Sequence, residues 1–123
     1  MTTLLTLTAI LEAATGLALM TVPSLVVRLL LGAEISGASI SLGRVAGFGL
    51  LSLGVACWPG RDATGTGAAL RAMLTYNSLA ALYFFSLAIG GGLVGPLLWP
   101  AAVLHGALAV LLARKWTLGN TAR

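Results

Sequence analysis

The sequence predicts an all-α integral membrane protein, a four-helix bundle with a short interfacial helical segment after the first span. Three observations lead there. Of the 123 residues, 59% are hydrophobic and 8% charged, and the mean hydropathy is +1.02. A soluble domain carries about 25% charged residues, so this chain cannot cover itself in water. Its apolar residues fall into four runs of about twenty, the length that crosses a hydrocarbon core. These runs are continuous and rich in Leu and Ala, whereas a membrane β-barrel needs alternating segments of about ten residues. No long linker, low-complexity tract or internal repeat divides residues 1–123, so a single transmembrane domain is expected.

The first run covers about residues 3–22. It has no basic flank, and Glu12 interrupts what would be the apolar stretch of a signal peptide, so this helix is expected in the mature protein. "TVPSLVVRLLLG", residues 21–32, follows. Pro23 fits the first turn of a helix, Ser24 to Leu31 is too short to span, and Gly32 suits a helix end. This is the interfacial segment, with Arg28 on its polar side. "GAEISGASIS", residues 32–41, is a loop by its Gly and Ser content, and Glu34 is a solvated charge on it.

The second span covers about residues 40–58. It carries the pair Gly43 and Gly47 at GxxxG spacing, with Gly54 on the same side. Small residues let helix backbones approach in lipid, where dispersion replaces the hydrophobic force. That pattern serves either the folding of one bundle or the association of two, so a homo-oligomer or a larger membrane complex is an open partner. "PGRDATGTG", residues 59–67, is a turn. The third span, about 68–89, leads through "GGGLVGP" to the fourth, about 97–113, which makes those two antiparallel neighbours. Ala102, Gly106 and Ala113 repeat the small-residue spacing on the fourth span. Trp58, Trp99 and Trp116 fall at helix ends, as an interfacial aromatic belt requires.

Charge sets the orientation. Arg61, Arg71, Arg114, Lys115 and Arg123 share the side of the N-terminus, and only Arg28 and Arg44 lie opposite. The positive-inside rule then places both termini in the cytoplasm. The same topology accounts for the net charge of +4, and no basic cluster interleaved with aromatics points to nucleic acid. Cys57 is the only cysteine, which rules out an intramolecular disulfide and reads as a small buried apolar residue.

Chemistry is concentrated in a few polar residues within the spans. Glu12 is near the middle of the first, at a depth where a charge costs at least about 2.5–3.5 kcal/mol. Thr8 and Thr15 extend it into a narrow polar stripe beside Gly16. Asn77 lies near the middle of the third span and His105 near the middle of the fourth. Arg44 lies in the outer half of the second, roughly 7–8 Å from its middle at the helical rise. Each span therefore contributes one strongly polar residue, and an inward-facing centre of Glu12, Arg44, Asn77 and His105 is expected, with a Glu12–Arg44 ion pair. Such a centre either pins the bundle together or binds and protonates a ligand. Tyr76, Tyr83, Phe84 and Phe85 are positioned to line an apolar pocket, to pack, or to face lipid.

Other chemistry is poorly supported. One His with Met20 or Met73 is no haem-ligand pattern, and Glu12 with His105 underspecifies a transition-metal site. The only Asp, Asp62, is in a loop, so no Ser-His-Asp arrangement exists. No cofactor is indicated.

Gly16, Pro23, "RLLLG" and "GRVAGFGLLSLG" at 43–54 resemble the small DoxX-like membrane proteins, four-helix bacterial proteins of which some relatives are associated with quinone-linked sulfur oxidation. That resemblance covers about the first half of the chain and implies the bundle more than an activity. "AILEAATGLALM", residues 9–20, is also similar to the first helix of small multidrug-resistance transporters. There a lone embedded Glu alternately holds protons and a cationic substrate, a role that would fall to Glu12. Arg44, His105 and the asymmetric basic residues depart from that family.

The functional expectation is a small membrane protein that binds or acts on a lipophilic molecule, quinone- or isoprenoid-like, at this centre. Glu12 and His105 would be the acid–base pair, and Arg44, Asn77, Thr8, Thr15 and Tyr76 ligand-binding residues. A proton-coupled transporter using Glu12 and an accessory membrane subunit are the alternatives.

Overall fold

The computed structural model of the protein describes residues 2–58 and 66–121. They form five helices: α1 (Thr2–Thr21), α2 (Pro23–Leu31), α3 (Ala38–Ala56), α4 (Thr66–Gly90) and α5 (Leu98–Thr121). Four of these, α1, α3, α4 and α5, are long and apolar enough to cross a membrane. The described residues contain no strand. The architecture is the all-α bundle with a short helix after the first span, and it has the character of a multi-pass membrane protein.

Most boundaries agree with the hydrophobic runs to within two residues. The exception is the C-terminal end of α5, which runs to Thr121 instead of ending near 113. Arg114, Lys115 and Leu118 favour helix, so the backbone ladder outlasts the apolar run that marks the span. Trp116 is consequently inside a helix, half-buried against the core, with the Arg71 guanidinium 5.6 Å from its ring centre. Of the turn expected at 59–67, residues 59–65, with Arg61, lie outside the described residues, as does the terminal Arg123.

The short helix begins with Pro23 in its first turn and ends at Gly32 in the left-handed region (φ 68°), whose N–H donates to the Arg28 carbonyl at 3.0 Å. Its last carbonyls are not left open. Gly95 N–H donates to Leu30 O (3.1 Å) and Leu97 N–H to Leu29 O (2.8 Å). The α4–α5 turn is thereby stapled by its backbone to α2, which satisfies acceptors that a helix end leaves unpaired.

The long helices assemble as two antiparallel pairs, α1 with α3 and α4 with α5, and contact between the pairs is much thinner. The α1–α3 crossing is made by glycine: Gly16 faces the backbone of Gly47 and Leu51, and Gly54 faces that of Ala9 and Ala13. The GxxxG pattern therefore serves the folding of one chain. Between the pairs, at the end holding the start of α1 and α4, a buried cluster of Leu5, Ala9, Cys57, Leu70, Met73 and Leu112 forms the core. Cys57 is 2% exposed and its thiol donates weakly to the Ala69 carbonyl, at 3.7 Å. At the opposite end the joint is the backbone staple to α2.

Candidate functional site

Glu12 lies on the buried face of α1 and is 2% exposed. Residues three and four apart share a helix face, so Leu5, Thr8, Ala9, Glu12 and Gly16 form one stripe, all buried. Thr15 does not belong to it. It is about 100° round the helix from Gly16 and about 80° from Leu5, beyond the edge of the stripe. Thr15 is thereby exposed, and its hydroxyl donates to the Leu11 carbonyl of its own helix at 2.8 Å. Thr8 is fully buried, but its hydroxyl also turns back, to the carbonyls of Leu5 (3.0 Å) and Leu4 (3.2 Å). Neither threonine contributes its hydroxyl to Glu12.

The expected Glu12–Arg44 ion pair is absent. Arg44 is exposed, and among the described residues the one ion pair is Arg28–Glu34 at 3.6 Å. Helix register explains the separation. Gly16 meets Gly47 and Leu51 while Ala9 and Ala13 meet Gly54, so the level of Glu12 on α3 is near Leu53. Arg44 is nine residues further along, roughly 13 Å at 1.5 Å per residue. It also lies one position round from the Gly43 and Gly47 face that packs on α1.

The polar neighbour of Glu12 is instead Tyr76, half-buried on α4. One carboxyl oxygen of Glu12, Oε1, is buried and has no hydrogen-bond partner. Native interiors rarely leave such an atom, because an unmade buried hydrogen bond costs about 1–3 kcal/mol.

From Tyr76 the polar residues continue across the α4–α5 pair. Its ring meets that of His105 edge-on, with centroids 5.7 Å apart, and Phe84 packs on the other ring contact of His105 at 5.5 Å. His105 Nδ1 lies 2.9 Å from Asn77 Oδ1. The Asn77 amide nitrogen donates to Met73 O at 2.9 Å, which fixes the orientation of the amide. Asn77 Oδ1 must then accept, so His105 carries its proton on Nδ1, and Nε2 of the neutral ring presents a lone pair.

The structure thus brings Glu12, Tyr76, His105 and Asn77 into one row through the middle of the bundle. It leaves Arg44 and Thr15 outside and Thr8 beside the row without a polar contact to it. Phe84, read from the sequence only as one of several aromatics, is a direct neighbour of His105. Among the described residues no group of His, Cys, Asp or Glu is arranged to hold a metal ion. The chain matches no family model, no curated protein and no solved structure.

Proposed function

We propose that this membrane protein binds a lipophilic molecule with a hydrogen-bonding head, quinone- or isoprenoid-like, at the Glu12–Tyr76–His105–Asn77 row. The observation that carries the reading is Glu12 Oε1, buried and unpartnered where two helix pairs meet across thin contacts. A polar head entering between the pairs would satisfy that oxygen. Its apolar body would remain among side chains such as Phe84. Glu12 would give or take a proton at its carboxyl, with Tyr76 orienting it, and His105 Nε2 would be the second proton-handling atom. Asn77 would act as a positioning residue, holding the imidazole tautomer from its Nδ1 side.

The position of Arg44 supports a second reading, proton-coupled transport of a lipophilic cation. The one cation expected beside Glu12 lies away from it, leaving a lone carboxyl of the kind such transporters use. For localisation we favour a bacterial inner membrane with both termini cytoplasmic. Arg71, Arg114 and Lys115 lie toward the end of the bundle that holds the start of α1, while Arg28 and Arg44 lie toward the other.

Glu12→Gln preserves shape and some hydrogen bonding but removes titration. In reconstituted protein, loss of turnover of a short-chain quinone with retained binding supports acid–base action. Loss of pH-coupled uptake of a lipophilic cation supports transport. If the variant is stable and keeps every activity of the parent, the row is structural and the chain is an accessory subunit.

A further inference from the structure

The face of α5 turned away from the polar row carries a second feature. Phe85 of α4 with Val103, Gly106, Ala107, Val110 and Leu111 of α5 lines an open apolar groove of about 480 Å³. Val103 and Val110 are 58% and 60% exposed. Val103, Ala107, Val110 and Arg114 follow at steps of four, three and four residues, so the face of α5 that carries the groove continues one turn beyond it to Arg114. Arg71 occupies the matching place on α4. It precedes Phe85 by fourteen residues, close to four whole turns, and so shares its side of the helix. Its guanidinium lies 5.6 Å from the centre of the Trp116 ring, at the same end of the bundle as Arg114.

Arg71, Arg114 and Lys115 are all exposed, and none is paired with a described carboxylate. Glu12 is buried in the polar row, and Glu34 is held by Arg28 near the other end. An apolar channel that ends in cations unpaired among the described residues fits an amphiphile with an anionic head. The distance agrees: Val103 to Arg114 spans eleven residues, roughly 16 Å, and one leaflet of a hydrocarbon core is about 15 Å deep. A purely apolar occupant would leave the cations unused, and a soluble anion would leave the groove empty.

We infer that the α4–α5 face is a binding site for an anionic phospholipid. One acyl chain lies in the groove past Gly106, and the phosphate is held by Arg114, with Lys115 beside it and Arg71 adding positive charge from the same end of α4. Trp116 keeps Arg71 at the headgroup level. The absence of a side chain at Gly106 keeps the groove open, since a Cβ there would meet only the edge of the Phe85 ring, at 3.5 Å.

The test is native mass spectrometry of the full chain in detergent, titrated with phosphatidylglycerol and with phosphatidylcholine of the same acyl chains. The parent should retain phosphatidylglycerol preferentially. Arg71→Gln and Arg114→Gln should each weaken it roughly five-fold, as expected for about 1 kcal/mol per basic residue near a lipid surface. Gly106→Leu, and independently Val110→Trp on the exposed face, should abolish the preference while keeping every charge. Protection of Cys57 from a maleimide reports that each variant is folded. Equal retention of the two lipids by the parent overturns the proposal. So does a preference that disappears with the arginines but survives both groove-filling variants, which would be general attraction to a basic belt.

Discussion

Replacing Gly47 with Ala should weaken the α1–α3 pair, although alanine is the better helix former. A Cβ at Gly47 would lie 2.7 Å from Gly16 O and 2.9 Å from Met20 N, where ordinary contact begins at 3.4 Å. Both neighbours are backbone atoms and cannot rotate aside, so the helices must separate or slide by about 0.7 Å, the shortfall from 3.4 Å. Gaps of that size forfeit about a quarter to a half of the dispersion energy of the atoms involved, and overpacking typically costs about 1–3 kcal/mol. The gain from replacing a helical glycine is about 0.5–1 kcal/mol, leaving a net loss of about 0–2.5 kcal/mol, centred on about 1.2. Gly49 is the control. It lies on the outward face of the same helix with nothing within 4 Å of a Cβ, so Gly49→Ala should be neutral or stabilising. The assay uses the single native cysteine. Cys57 is buried, so its reaction with a maleimide reports opening of the bundle. Gly47→Ala should label about ten-fold faster than the parent, and Gly49→Ala no faster. Equal protection in the two variants would refute backbone contact at Gly47.

Met73 is fully buried in the cluster between the pairs; Met73→Ala should cost about 2–5 kcal/mol, read as accelerated Cys57 labelling in detergent. Glu34→Gln should change stability by less than about 1 kcal/mol, because both side chains of the Arg28–Glu34 pair are well exposed; a larger loss in thermal denaturation would give that pair a structural role. In a Cys57→Ala background, Gly37→Cys should react with an impermeant thiol reagent added outside intact cells and Thr64→Cys should not; the reverse pattern would invert the topology. Glu12→Gln should abolish any pH dependence of ligand turnover or cation uptake in proteoliposomes, and an unchanged pH profile would remove Glu12 from the proton path.

The individual helices were legible because each is a local property. A run of about twenty apolar residues specifies a span by itself, and Pro23 and Gly32 bracket the short helix through their own backbone preferences. Burial of Glu12 and Asn77 was legible for a related reason: a strongly polar group inside a span has to turn toward protein. The meeting of Asn77 with His105 followed nearly as directly, since a tight turn forces α4 and α5 to run antiparallel as neighbours.

Pairings that depend on helix register across longer connections were not local. Depth counted within each helix alone pairs Arg44 with Glu12. The glycine contacts set how far α3 slides along α1, and that slide moves Arg44 about two and a half turns away. Whether Gly43, Gly47 and Gly54 join two chains or fold one was equally open in the sequence, since the spacing is the same for both. Gly16 and the backbones of Ala9 and Ala13 decided it by occupying that face. Tyr76 became the neighbour of Glu12, and Thr15 dropped out, because side-chain direction depends on the rotation of each helix about its axis. That rotation is set by all the neighbours packed against it together, which no single segment of sequence contains.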